Sequence, residues 1–217
     1  MIKCLICHDQ NGSLISAHES IQHYFHKECL VDWLTVGKTF ACPMCHEPIS
    51  KELFACQCSG SDQLLLPAVR SGSIEFVEII LKNMLNSQEE LNKALHLAAE
   101  LGNLRMVEFL LDSGADYRSK EYEAYWVAGE KGNLHIMRFI IDKYTEEIHQ
   151  DDEWALRYAA ELGILEIVKE LVEDNNCDAH VLNDQTILLA NRNEHQDVVE
   201  YLLTKGCQLG SNSDLSL

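Results

Sequence analysis

Ala94-Leu-His-Leu-Ala-Ala-Glu-Leu-Gly102-Asn-Leu-Arg-Met-Val-Glu-Phe-Leu-Leu-Asp-Ser-Gly114-Ala-Asp116 is the stretch that decides the fold. Its apolar residues return at i, i+3 and i+4, as in Met106, Phe109 and Leu110, which predicts a short helix, a turn at Gly102 and a second helix. The pattern recurs along the chain: Ala98 has counterparts at Ala68, Ala128, Ala159 and Ala190, spaced 30, 30, 31 and 31. Gly102 is matched by Gly72, Gly132 and Gly163, and by Glu194 in the last copy, while Val107 is matched by Val77, Met137, Val168 and Val199. A period of this size marks a repeat architecture. One helical hairpin cannot bury its apolar face, but stacked hairpins share a continuous core, so the sequence predicts a solenoid. The Ala98-type positions are small because paired helices approach closely there.

The Ala-Leu-His-Leu-Ala-Ala string, the glycine turn and Gly114-Ala-Asp116 resemble the ankyrin repeat, over roughly residues 62–207. The copies are expected at 62–91, 92–121, 122–152, 153–183 and 184–209. Pro67 lies within the first expected inner helix and Glu194 replaces the last turn glycine, departures that suit terminal units stacked on one side only. The resemblance implies binding of a protein substrate through inner helices and projecting loops. Candidate contacts are Tyr125, Trp126, Trp154, Arg157 and Tyr158, because aromatic and arginine side chains anchor interfaces; packing between repeats is the competing reading of each. His96 is expected to stabilise a turn by hydrogen bonding. Cys177 and Cys207 stand alone in the sequence and are expected to be small buried apolar residues.

Working outward to the N-terminus, five of the nine cysteines and five of the ten histidines fall in the first 46 residues. They come as Cys4-Leu-Ile-Cys7, His23-Tyr-Phe-His26-Lys-Glu-Cys29 and Cys42-Pro-Met-Cys45. Two-residue gaps let neighbouring thiolates or imidazoles reach one tetrahedral zinc, so three such clusters point to metal rather than disulfides. A module of this size buries too little apolar surface to be secure alone, and structural zinc supplies folding free energy directly. The order of the clusters resembles a RING finger of the two-histidine type. The resemblance implies interleaved ligands: Cys4, Cys7, His26 and Cys29 at a first zinc, and His23, Cys42 and Cys45 at a second. The family's remaining cysteine position is occupied by Ile21, which leaves the fourth ligand open between His18, Cys56 or Cys58, and no protein ligand, as in the metal-free U-box relatives.

RING modules dock a ubiquitin-conjugating enzyme on a shallow apolar groove. Carried over, the docking residues are Leu5, Ile6, Trp33 and Pro43, with His46 where active members often carry a basic residue; Leu30 and Leu34 would serve the module's own core. The expected architecture is a small zinc-bound α+β RING-like module at 1–54, a linker at 55–61, an all-α ankyrin-repeat solenoid of about five helical hairpins at 62–209, and a polar tail at 210–217.

Charge narrows the partners. The formal net charge is −18, of which residues 1–50, with three Lys and five Asp/Glu, carry only −2. An acidic repeat region repels phosphate backbones and anionic lipid, so neither nucleic acid nor membrane insertion is expected. No apolar run spans a bilayer and Met1-Ile-Lys runs straight into the first cysteine pair, so a soluble protein of the cytosol or nucleus, with reduced thiols, is expected, and a cytoplasmic one is the preferred reading. The sequence reading is thus a RING-type ubiquitin ligase whose ankyrin repeats choose the substrate. It would work by positioning a charged conjugating enzyme and a substrate lysine rather than by a covalent step of its own. The alternative is a non-catalytic adaptor with a degenerate RING-like module. The compact repeats also resemble ankyrin effectors of intracellular bacteria and large viruses, which implies action in a host cytoplasm.

Overall fold

The computed structural model describes residues 2–17, 22–37, 40–50, 64–83 and 87–209. The chain divides into two compact units, Met1–Ala124 and Tyr125–Leu217. Among the described residues the first unit opens with strands β1 (Leu14–Ser16) and β2 (Tyr24–His26) and helix α1 (Lys27–Gly37). The strands pair antiparallel, with Ile15 opposite Phe25. Phe25, Leu30 and Leu34 are buried and form the small core of this module.

Helical hairpins follow. The inner helices are α2 (Leu65–Ser71), α4 (Gln88–Glu100), α6 (Ser119–Glu130), α8 (Gln150–Glu161) and α10 (Val181–Arg192). The outer helices are α3 (Ile74–Asn83), α5 (Leu104–Asp112), α7 (Leu134–Lys143), α9 (Leu165–Glu173) and α11 (Gln196–Thr204). In the first unit α2 packs on α3 and α4, and α4 on α5; in the second, α8 packs on α9 and α10, and α10 on α11. The unit boundary falls inside α6.

The repeated alanine and glycine have a backbone cause. Gly102, Gly132 and Gly163 take left-handed φ of 71°, 73° and 72°. That turn lets the next N–H reach back over five residues: Asn103 N donates to Ala98 O (3.0 Å), Asn133 N to Ala128 O (2.7 Å) and Ile164 N to Ala159 O (2.9 Å). This is the Schellman closure of a helix C-terminus, and it satisfies a carbonyl that would otherwise be orphaned. Glu194 adopts the same conformation at φ 64°, and His195 N donates to Ala190 O at 2.9 Å. The last copy therefore keeps the geometry without the glycine. In the first copy the Ser71 hydroxyl donates to Ala68 O at 2.7 Å. Pro67 is accommodated because α2 begins only at Leu65, placing the proline in a first turn whose N–H groups have no intrahelical acceptor.

Three inner helices begin unusually. Lys120–Glu121–Tyr122, Asp151–Asp152–Glu153 and Leu182–Asn183–Asp184 all have φ between 47° and 65°. These left-handed turns, spaced by 31 residues like the repeats themselves, precede the right-handed part of α6, α8 and α10. The expected copy limits at 122, 153 and 184 fall on them.

Within the first unit, Phe40 stacks on Phe76 of α3 with ring centroids 4.3 Å apart. In the second, Trp154 and Tyr125 are fully buried and meet edge to face at 5.0 Å. Tyr125 satisfies its hydroxyl by donating to Ala155 O at 3.2 Å, and its burial pushes the phenol well above its ordinary range.

Candidate metal centre and recognition surface

Both Cys-x2-Cys segments fold into the same turn. Cys4 N donates to Asp9 O and Cys42 N to Glu47 O, each at 2.9 Å; His8 N closes on Cys4 O and His46 N on Cys42 O, each at 3.0 Å. His8 and His46 sit at matching left-handed φ of 62° and 61°. Backbone N–H groups also point at sulfur: His26 N, from β2, lies 3.4 Å from Cys4 Sγ, and Met44 N, within the second turn, lies 3.5 Å from Cys42 Sγ. Leu5 N donates to Tyr24 O at 3.0 Å, which ties the first turn to β2.

His23 and His26 are three residues apart along the β2 segment, an odd separation that turns them to opposite sides. His26 Nδ1 lies 3.3 Å from Cys7 Sγ and 3.9 Å from Cys29 Sγ. His23 Nδ1 lies 3.5 Å from Cys42 Sγ. Two groups result: Cys4, Cys7, His26 and Cys29, and separately His23, Cys42 and Cys45, the ligand atoms of each within 4.8 Å of one another. Three thiols and one imidazole at this spacing suit a tetrahedral ion with sulfur at ~2.3 Å and nitrogen at ~2.0–2.1 Å. Burial opposes ionisation of Cys4, but the backbone N–H groups of Cys7, His26 and Ile6 prevail and bring its thiol down to about 6. Burial, with the Cys7 and Cys4 sulfurs alongside, drives Cys29 up to about 12. The second group has three donors among the described residues; His18, Ile21, Cys56 and Cys58, where its fourth ligand was sought, lie outside them, as do the linker at 55–61 and the tail at 210–217.

Of the docking candidates, Leu5 and Ile6 lie half-buried in the first turn, Pro43 half-buried in the second, and His46 exposed directly after it. Trp33 on α1 is 36% exposed, and Met44, Val36 and Ile2 are exposed as well.

On the helical hairpins two expectations need correction. Tyr125 and Trp154 are not surface contacts: both are wholly buried, each ring packed edge to face against the other. Trp126 and Tyr158 remain half-buried and meet edge to face at 5.6 Å. Beside them a cleft of about 420 Å³ is lined by Trp126, Glu161, Leu162, Asn193 and His195. Arg157 is turned to the backbone, donating from Nε to Asp152 O (2.8 Å) and from a terminal nitrogen to Asp151 O (3.0 Å), so it braces a left-handed turn. His96 makes no hydrogen bond through Nδ1, which is buried 3.7 Å from Glu123 Oε1; its ring lines a groove with Leu66, Arg70, Leu97, Lys120 and Glu123 in the first unit.

Cys177 and Cys207 are buried as expected but not isolated. Each faces a histidine–carboxylate pair, His149 with Glu153 and His180 with Asp184. The legible signal for these groups was His-x3-Glu and His-x3-Asp recurring at the repeat period of 31.

Paired helices closed by Schellman turns at the repeat period define a helical-repeat scaffold for protein–protein contacts. A family model described as ankyrin repeats (3 copies) matches residues 18–121 and 122–213, and the chain belongs to the ankyrin-repeat family. No curated protein matches the chain. Among the described residues no helix is long and apolar enough to cross a membrane.

Proposed function

We propose that the chain is a RING-type ubiquitin-protein ligase. In this reading the Cys/His module docks a charged ubiquitin-conjugating enzyme through Leu5, Ile6, Trp33, Pro43 and His46, and the ankyrin repeats select the protein substrate in the cytoplasm, a host's if the chain is an effector. The observation that supports it best is the interleaving: two histidines on one strand segment serve two different cysteine pairs, each pair in the same tight turn. Cys4, Cys7, His26 and Cys29 would hold one zinc; His23, Cys42 and Cys45, with a donor from His18, Cys56 or Cys58, a second. Bound there, zinc would hold in place the two turns that carry Leu5, Ile6, Pro43 and His46. The chain's own contribution is positional, since acceleration comes from holding thioester and lysine together.

The three-donor second group favours one other reading, a non-catalytic adaptor. Autoubiquitination with purified activating enzyme and a broad panel of conjugating enzymes separates the two. A ubiquitin ladder that Ile6→Ala or Trp33→Ala abolishes, with the zinc content unchanged, is the expected result. Absence of a ladder across the panel refutes the ligase and leaves the adaptor.

A further inference from the structure

The second, fourth and fifth hairpins share one closing junction, in which a side chain of the inner helix accepts a backbone N–H that follows the outer helix; after the third hairpin Glu147 N donates to Tyr144 O instead (2.8 Å). In the second hairpin, Asn92 Oδ1 accepts the Asp116 N–H (2.9 Å) and receives Gln88 Nε2 (3.0 Å), and the residue before Asp116 is Ala115. Two later junctions in the second unit repeat this scheme with different chemistry. Glu153 Oε1 accepts Asp178 N (3.1 Å), His149 Nδ1 lies 3.1 Å from both Glu153 oxygens, and the residue before Asp178 is Cys177. Asp184 Oδ2 accepts Gln208 N (2.9 Å), His180 Nδ1 lies 2.7 Å from Oδ1, and the residue before Gln208 is Cys207.

Gln88, Asn92 and Ala115 show that the hydrogen-bonding task requires neither charge nor sulfur. In both later junctions all three positions change together, amide to carboxylate, glutamine to histidine and alanine to cysteine. Each becomes a metal donor, and the three donor atoms of each set lie within 4.8 Å of one another. We propose that each junction is a zinc site, held by His149, Glu153 and Cys177 in one and by His180, Asp184 and Cys207 in the other. Thiolate, imidazole and carboxylate together select a borderline ion such as zinc over calcium or magnesium, which take oxygen ligands. Tetrahedral zinc places its nitrogen and oxygen ligands about 3.4 Å apart. The first site therefore needs its imidazole to move out by about 0.3 Å from the present 3.1 Å, and the second by about 0.7 Å from 2.7 Å. The thiol proton passes to solvent on binding. Three protein donors leave the fourth position to solvent, on the side where His149 and His180 are exposed.

The inference does not depend on the ligase reading, and the test keeps the two apart. Zinc per chain is measured in the full-length protein after equilibration against a zinc buffer, for the wild type and for Cys177→Ala and Cys207→Ala. Alanine is the residue that Ala115 already supplies at this position, and the N-terminal donors are the same in all three proteins. Each variant is expected to bind one zinc fewer than the wild type, with an unchanged circular dichroism spectrum, and to lose one thiolate-to-metal charge-transfer contribution when cobalt replaces zinc. An unchanged count in both variants overturns the proposal, and an unchanged count in one overturns it at that junction.

Discussion

Glu194 is the sharpest place to test the backbone account of the repeats. It occupies a glycine's conformation at φ 64°, in a turn closed by His195 N on Ala190 O, and its side chain is exposed. A residue with a Cβ pays about 1–2 kcal/mol for left-handed backbone. Glycine removes that strain but loses about 0.5–1 kcal/mol through the greater freedom of its unfolded chain. Glu194→Gly should therefore stabilise the protein by about 0.5–1 kcal/mol. The reverse changes calibrate it. At Gly132, φ 73°, an added Cβ meets nothing within 4 Å, so Gly132→Ala should cost about 0.5–1 kcal/mol by the same subtraction. At Gly163, φ 72°, the Cβ would collide with the His195 ring, whose Nε2 lies 2.9 Å from Glu161 O. Gly163→Ala should therefore cost a further ~0.5–1.5 kcal/mol as that hydrogen bond is displaced. Urea denaturation followed by circular dichroism at 222 nm ranks the set, the midpoint shift reading stability when the slope is constant. A Glu194→Gly midpoint at or below wild type, or equal costs at Gly132 and Gly163, would refute the reasoning.

Two further predictions rest on the second unit. Trp154→Ala removes a fully buried indole from against Tyr125 and should cost about 3–5 kcal/mol in the same denaturation assay; a loss below about 1 kcal/mol would mean that Trp154 is a surface contact after all. Lys205 and then Tyr201, through hydrogen bonds, hold the Glu173 carboxyl below its ordinary range. The stability this contributes is present above the unfolded carboxyl pKa and fades as pH falls through the folded one. In Lys205→Met the Glu173 resonance, followed by NMR across the acid range, should titrate at higher pH than in the wild type; an unmoved midpoint would show that Lys205 does not hold it.

The features legible in the sequence were those fixed by local backbone chemistry. Ala98 and Gly102 are four apart because one carbonyl must meet an N–H across a left-handed residue, and that relation survives wherever the chain packs. Burial was less accessible. Tyr125 and Trp126 are neighbours, but a single helical step turns them by about 100°, so one reaches the core and the other a cleft; both types anchor interfaces, and sequence alone gave no means of separating them. Trp154 was misplaced for the same reason, since the arc of α8 that is covered depends on α9 and α10. The donors at the junctions were hidden differently. His149 and Glu153 are near in sequence, but Cys177 reaches them only through a loop whose course follows from the packed hairpin. At the N-terminus the cysteine pairs announced two donor groups, while their division between His23 and His26 takes its structural form from the extended backbone of β2.

The Phe40–Phe76 stack has a mechanical meaning for the proposed ligase. It fastens the segment leading to Cys42 onto the outer helix of the first hairpin, within one compact unit. The spacing between the cysteine module and that hairpin is then a property of two packed rings rather than of the contour length of the chain joining them. A tether fixes only an average separation, and its effective concentration falls as it lengthens; a stacked contact fixes a position. Which lysines of a substrate held by the first hairpin come within reach of a docked conjugating enzyme would accordingly be a matter of register, set by the angle at which α3 carries Phe76.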